Sequence, residues 1–292
     1  MKRPLVAILA VGLLAACAGV RAPGAAKSET PAQSLAATGQ AMSQQKSVEF
    51  NLAGTATLTL PQQIVDQIRA KGGSQASFLS TTTTVNFQAS GAAQRPDKLQ
   101  ATVTATIGQV TIKTEVRAIG NNLYYKDPFT SKWEVVNRHR TDAQANGHPK
   151  LTYQAVLDTA QSITEVGDPT TINGVSVEHY QVVPDLLKLF AQLATRLESK
   201  DPQVAAAIQQ ALSGVKLTLD VWTGVDDHLI RRLSYDLDAT VDLHQLASLD
   251  THVGETALNV PVGSMAHLTA HAVIDLHDFN ASVTVVAPTV GS

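Results

Sequence analysis

The stretch LQATVTATIGQVTIKTEVRA, residues 99–118, decides how the rest of this chain is read. Over 99–107, Ala101, Val103, Ala105 and Ile107 fall on one parity and Thr102, Thr104 and Thr106 on the other. That is the period of a strand with one face buried. Gly108-Gln109 supplies a two-residue turn, and Val110, Ile112, Val116 and Ala118 resume the apolar parity. The pair reads as a tight antiparallel hairpin.

The same alternation recurs outward in both directions. Val48, Phe50, Leu52 and Ala56 alternate with Glu49, Asn51 and Thr55, and 77–89 is rich in Thr, Val and Phe. Strands follow at 123–125 and 133–136, at 175–183 after the Asn173-Gly174 turn, and at 216–222, 229–243 and 265–286. Helical spacing interrupts them over 30–47, 61–71 and 151–160. Asp185 is placed to cap a helix bearing Leu186, Leu189, Phe190, Leu193 and Leu197, an apolar stripe at i, i+3, i+4 and i+7. Asp201-Pro202 opens a further helix running to Gly214. Strands joined by short turns, with a few amphipathic helices among them, predict an α+β fold: a meandering antiparallel sheet with helices on one face.

The totals agree with one folded unit. The chain has 292 residues, 44% apolar but only 4% aromatic, so its core must be aliphatic. A net charge of −3 without a basic cluster excludes nucleic acid as a partner.

Lys2 and Arg3 open the chain, an apolar run covers 5–14, and Leu14-Ala15-Ala16 leads to Cys17, the single cysteine. A charged start, a short apolar run and a small-residue processing site make a secretory signal. About ten apolar residues are too few to span a bilayer, which takes about 20. Leu14-Ala15-Ala16-Cys17 resembles the lipobox of bacterial lipoproteins, in which the cysteine sulfur receives a diacylglycerol. The expected organisation is a signal peptide over 1–16, lipidated Cys17 and a flexible tether over 17–31, and one domain over 32–292. The domain is then held to the extracytoplasmic face of a membrane in the cell envelope, since two acyl chains anchor a protein stably.

Three segments together, GNNLYYKDPFTSKW (120–133), NGVSVEHY (173–180) and DVWTGVDDHLIRRL (220–233), resemble the LppX/LprG-type lipoproteins of actinobacteria. The resemblance spans roughly 30–279. It implies the LolA-like fold of lipoprotein carriers, an unclosed antiparallel half-barrel wrapping amphipathic helices. It also implies an apolar cavity between sheet and helices that accepts the acyl chains of a lipid or glycolipid. Parity and helical spacing then nominate Val103, Ile107, Ile112 and Val116 on the strands, and Leu186, Leu189, Phe190 and Leu193 on the helix, as its lining.

Reactive chemistry is hard to find. His267, His271, Asp275 and His277 share one parity of the last strand, opposite Leu268, Ala270, Ala272, Ile274 and Leu276. They should therefore face solvent. His267 and His271 stand about 13 Å apart along a strand, too far for one metal ion. Asp236, Asp238 and Asp242 share the polar parity of the preceding strand. Asp226-Asp227-His228 reads as a turn, and Tyr124, Tyr125 and Trp133 as packing around one. Gly174-Val175-Ser176-Val177-Glu178 lacks the second glycine of a nucleophile elbow. The expectation is a non-enzymatic protein with no cofactor and no metal, anchored through Cys17. It would bind and carry a lipid, glycolipid or lipidated molecule, with an envelope transporter or acceptor as a further partner. The alternative is a cargo-free sensing or scaffold lipoprotein that binds another envelope protein.

Overall fold

The computed structural model describes residues 29–72, 79–137, 153–194, 209–210, 212–248 and 259–291. The expected signal peptide, Cys17 and most of the expected tether lie outside the described residues, as does most of the helix expected over 201–214.

Twelve strands form one antiparallel sheet: β1 Ser47–Thr59, β2 Thr82–Gln94, β3 Lys98–Ile107, β4 Val110–Ile119, β5 Asn122–Lys126, β6 Trp133–Asn137, β7 Ala160–Glu165, β8 Thr170–Ile172, β9 Val175–Pro184, β10 Val215–Gly224, β11 Ile230–Asp242 and β12 Met265–His277. Their order is β6-β5-β4-β3-β2-β1-β12-β11-β10-β9-β7, with β8 on β9. The sheet is open, since β6 and β7 do not pair. Its two arms join at the β1–β12 seam, where the first and last strands meet over 11 registered pairs, from Glu49 with His277 to Thr59 with His267.

The described helices are few: α1 Pro31–Gln44, α2 Gln62–Gly72, α3 Tyr153–Asp158, α4 Leu186–Ala194 and α5 Leu243–Ser248. Thr30 caps α1 in a reciprocal capping box with Gln33, and Pro31 takes the first turn, where its missing N–H costs nothing. Ser34, Leu35 and Thr38 line its buried side. Asp185 does cap α4, its carboxylate accepting from the Lys188 N–H at 3.0 Å. No helix among the described residues is long and apolar enough to cross a membrane.

Several sequence-based boundaries move. The helix expected over 30–47 stops at Gln44, because Gln45 is already extended and Ser47 begins β1. Of the helix expected over 151–160, the described residues are helical over Tyr153–Asp158; Ala160 starts β7, an edge strand whose weak alternation hid it. The strand expected over 229–243 ends at Asp242, where α5 takes over. The last strand was expected to run to Val286 but ends at His277. There Asp278 (φ 49°) and Asn280 (φ 61°) adopt left-handed backbone and turn the chain off the sheet. Asn280 fastens that turn: its Oδ1 accepts from the Lys46 N–H at 2.7 Å and its amide donates to Gln45 at 2.6 Å. The tail then runs to the far edge, where Arg117 donates to the Val286 carbonyl and the Gly291 N–H to the Trp133 carbonyl, each at 2.9 Å.

Candidate functional site

Pairing in an antiparallel sheet puts opposite residues on the same face, so the registers fix both faces across the sheet. One face is apolar. Following it from β4 to β10, one row reads Ile112, Ala105, Phe87, Gly54, Ala272, Tyr235 and Leu219. The next row reads Val110, Ile107, Val85, Ala56, Ala270, Leu237 and Leu217.

This face divides along the strands. Toward the Ser47 end of β1 it is deeply buried: Phe50, Leu99, Ala118, Tyr180, Val221, Ile230 and Leu276 form a cluster with Leu35 of α1, and α3 packs on it through Tyr153, Val156 and Leu157. Toward the Thr59 end the side chains of both rows just named, except exposed Val110, are only half-buried. So are Leu58 and Leu268, opposite each other one step further along.

The expected lining residues distribute across that divide. Val103, Ile107, Ile112 and Val116 do share the apolar face. Val116 is buried at 6% exposure and Val103 packs against the cluster, whereas Ile107 and Ile112 stand half-buried in the Thr59 half. On α4, Leu189 is buried and Leu186 half-buried; the side chains of Phe190 and Leu193 lie outside the described residues.

Gly54 marks the floor of the Thr59 half. A Cβ there would stand 2.4 Å from the Phe87 ring and 2.6 Å from the His271 carbonyl oxygen. Only glycine lets the Phe87 ring lie down on β1. Neither spacing nor parity signals this; a glycine inside an alternating strand is the one hint.

The opposite face is polar, as the parity of β12 predicts. Its histidines take carboxylate partners across strands: His267 with Asp238 at 3.0 Å and His271 with Asp236 at 2.8 Å. Arg232 makes a bidentate pair with Asp275 at 2.6 and 3.0 Å. His179 bonds Asp220 at 2.7 Å and stacks on Trp222 at 4.2 Å. These pairs sit at separate places and do not converge on a point. A shallow hollow of about 400 Å³ on this side is lined mainly by Thr55, Thr57, Thr218, Asp236, Asp238 and His271. Glu49, His277 and Asp278 bring potential ligand atoms within 4.8 Å of one another. Both nitrogens of His277 are already engaged, Nδ1 with Asp278 at 2.7 Å and Nε2 with the Asn51 amide at 2.8 Å. The group is therefore a hydrogen-bonded anchor for the turn out of β12. Asp227, in the turn expected at 226–228, accepts from the Leu229 N–H at 3.0 Å and pairs with Arg231, which fits a structural role. Tyr125 donates to Glu134, and Arg117 stacks over Trp133 at 4.8 Å, so these side chains pack around the turn between β5 and β6.

No family model matches the chain, and no curated protein matches it by sequence. Among solved structures, the chain is similar to the Mycobacterium tuberculosis lipoprotein LppX, at 13% identity and a TM-score of 0.46, over 88% of this chain and 98% of that one. It is also similar to LprF from Mycobacterium bovis, at 12% identity and a TM-score of 0.41, over 88% and 96% respectively.

Proposed function

We propose that this chain is a lipid-anchored protein of the cell envelope that binds the acyl chains of a lipid or glycolipid against the apolar face of its sheet. The observation that carries the reading is the division of that face: one half is sealed by α1 and α3, while the other presents aliphatic side chains that the described residues leave half-buried. Burying apolar surface stabilises by about 25 cal/mol per Å². A large aliphatic face left partly open is a strong site for hydrocarbon and a poor one for anything charged. Acyl chains leaving a membrane for such a face exchange one apolar environment for another. The net gain is then modest, which suits a protein that must also release its cargo.

Cys17 is the membrane end of this reading, acylated and exported by the 1–16 signal, with 17–31 as the tether to a half-barrel domain. Ile107 and Ile112 are the strand residues best placed to touch cargo. Val103, Val116, Leu186 and Leu189 belong to the surrounding wall, and Phe190 and Leu193 are assigned to it from the helical stripe of the sequence alone. The face carries no convergent acid, base or nucleophile among the described residues, so the action is partition rather than reaction. Handover to an envelope acceptor completes the scheme.

The test is mass spectrometry of organic extracts from the full chain carrying Cys17→Ser, purified without detergent. That substitution removes the covalent lipid, so a stoichiometric acyl lipid in the extract is bound cargo. A clean extract after expression in an actinobacterial host overturns the reading in favour of a cargo-free scaffold.

A further inference from the structure

The two most exposed large apolar side chains among the described residues are Phe129 and Val262, each 83% exposed. They stand on different turns, far apart in sequence, and the sheet brings both turns to one end. β5 pairs with β4 from Asn122 opposite Ile119 to Tyr125 opposite Val116, so the β5–β6 turn bearing Phe129 points toward the Val110 end of β4. The row through Val110 continues by Ile107 and Val85 to Ala56, in the Thr59 half of β1. Val262 precedes Met265, which starts β12 just beyond the Thr59–His267 pair, at that same end. Val110, beside the Gly108-Gln109 turn, is itself 55% exposed, and Met265 45%. By contrast, the turns at the sealed end, 95–97, 120–121, 173–174 and 225–229, expose one large apolar side chain among them, Val225, at 37%.

Both apolar turns are fixed from within. The Asp127 carboxylate accepts from the Phe129 and Thr130 N–H groups at 2.8 and 2.7 Å, and its own N–H donates to the Lys132 carbonyl at 2.8 Å. Gln67 of α2 bonds Asn259 in both directions, at 2.7 and 2.9 Å, and His244 of α5 meets the Val260 carbonyl at 2.7 Å. The Leu243 N–H then holds the Ser264 carbonyl at 2.8 Å. Phe129 and Val262 are thus presented to solvent by turns already ordered, so burying them in a partner costs little further ordering.

Val110 and Met265 begin strands four places apart, about 19 Å, so these tips form a spread rim and no single pocket. A folded partner binds best through one contiguous, desolvated centre. A flat fluid surface accepts separate tips. The charged side chains that the described residues bring to this end cancel: Arg69, Lys71, Lys132 and Lys216 against Asp66, Asp127, Asp238 and Asp242. Contact here therefore runs on apolar insertion, whatever the charge of the surface. Reach also allows it. Tyr180, which bonds Ser34 of α1, shares a row with Leu52, seven residues or about 23 Å short of Thr59. The twelve residues from Cys17 to Glu29 span up to about 40 Å, so an anchor at Cys17 reaches the plane of the rim.

We propose that the Thr59 end of the sheet docks on the surface of a lipid bilayer, with Phe129 and Val262 inserted below the head groups and Val110 and Met265 beside them. The docking goes beyond the lipid-binding reading and does not require it. That lipid then passes onto the half-buried part of the apolar face without crossing water rests on that reading.

The full chain carrying Cys17→Ser has no cysteine, so spin labels can be placed singly through Phe129→Cys, Val262→Cys and, at the sealed end, Val225→Cys. Each chain is mixed with vesicles of phosphatidylcholine, or of equal parts phosphatidylcholine and phosphatidylglycerol. Collisions of the label with oxygen and with a water-soluble nickel chelate then report its depth. Residues 1–31 are common to all three chains, so only the position of the label differs. The labels at 129 and 262 should enter lipid in both vesicles, at low and high salt alike, while the label at 225 stays in water. Phe129→Ser, added to the chain labelled at 262, should lift that label back into water at an unchanged melting temperature. Labels at 129 and 262 that stay in water, a label at 225 that enters lipid, or immersion only with phosphatidylglycerol overturns the inference. Labels that stay in water while the organic extract holds an acyl lipid overturn docking and leave lipid binding standing. Immersed labels with a clean extract do the reverse.

Discussion

The two ends of the apolar face are built from the same alternation but have different neighbours. At the Ser47 end, Phe50 and Leu276 face each other across β1 and β12 at 6% and 3% exposure, beneath the cluster that includes Leu35. At the Thr59 end, Leu58 and Leu268 face each other in the same two strands and stay half-buried. The strands themselves are continuous through both ends. Parity thus chooses the face on which a side chain stands, and the layer above it determines whether that side chain is sealed into a core. The first end is packed as a core, and the second leaves Leu58, Leu268 and the two rows beside them half-buried.

Paired truncations break or confirm this division with the largest expected effect. Leu276→Ala should cost about 2–5 kcal/mol, the range for emptying a close-packed site. Leu268→Ala, on the same strand and face, should cost about 1 kcal/mol or less and should instead weaken lipid uptake. Urea unfolding of both variants measures the contrast; equal losses would mean that the two ends are one core. Gly54→Val is the next test. Phe87 can swing away from the new side chain, but the His271 carbonyl cannot, so about 1–3 kcal/mol should be lost. The displaced ring should also change the shape of the floor, read as altered lipid affinity in a variant that still folds.

The sequence made one of these ends more legible than the other. Alternation over 99–118 placed Val103, Ile107, Ile112 and Val116 on one face, and parity sent His267, His271 and His277 to the other. Both follow from the period of two, which is local. What covers a face is not local. The stripe of α4 did not foretell how deeply Leu189 sits, at 6% exposure. The strand expected to reach Val286 was broken by the left-handed backbone of Asp278 and Asn280, the latter held by bonds to Gln45 and Lys46, more than 230 residues away.

Within the sealed end, Thr38 of α1 tests how dry that core is. Its hydroxyl is fully buried with no partner. Thr38→Val keeps the shape and removes the unsatisfied group, so it should stabilise by about 1 kcal/mol, or about 2–4 °C in Tm. No gain would indicate that a water bridges the hydroxyl, and that the sealed end is wetter than its side chains imply.

The smallest effect concerns the junction that holds α4 to the sheet. The Asp185 N–H donates to the Thr159 carbonyl at 2.8 Å, while its carboxylate accepts from the Lys188 N–H and pairs with the Lys188 ammonium at 3.2 Å. That backbone hydrogen bond, with the ammonium's help, holds the carboxyl below its usual value of 3.8. A carboxyl depressed in the folded state adds stability that is present above its unfolded value and is lost as pH falls through the folded one. Asp185→Asn keeps an acceptor for the helix N–H but cannot titrate. The two chains should therefore lose stability differently on acidification, the parent more steeply below about pH 4, and should run parallel above about pH 6. Because the Lys188 ammonium is exposed and salt-screened, the difference should shrink as ionic strength rises. A difference that persists in high salt would instead show that α4 is held to the sheet by more than its cap.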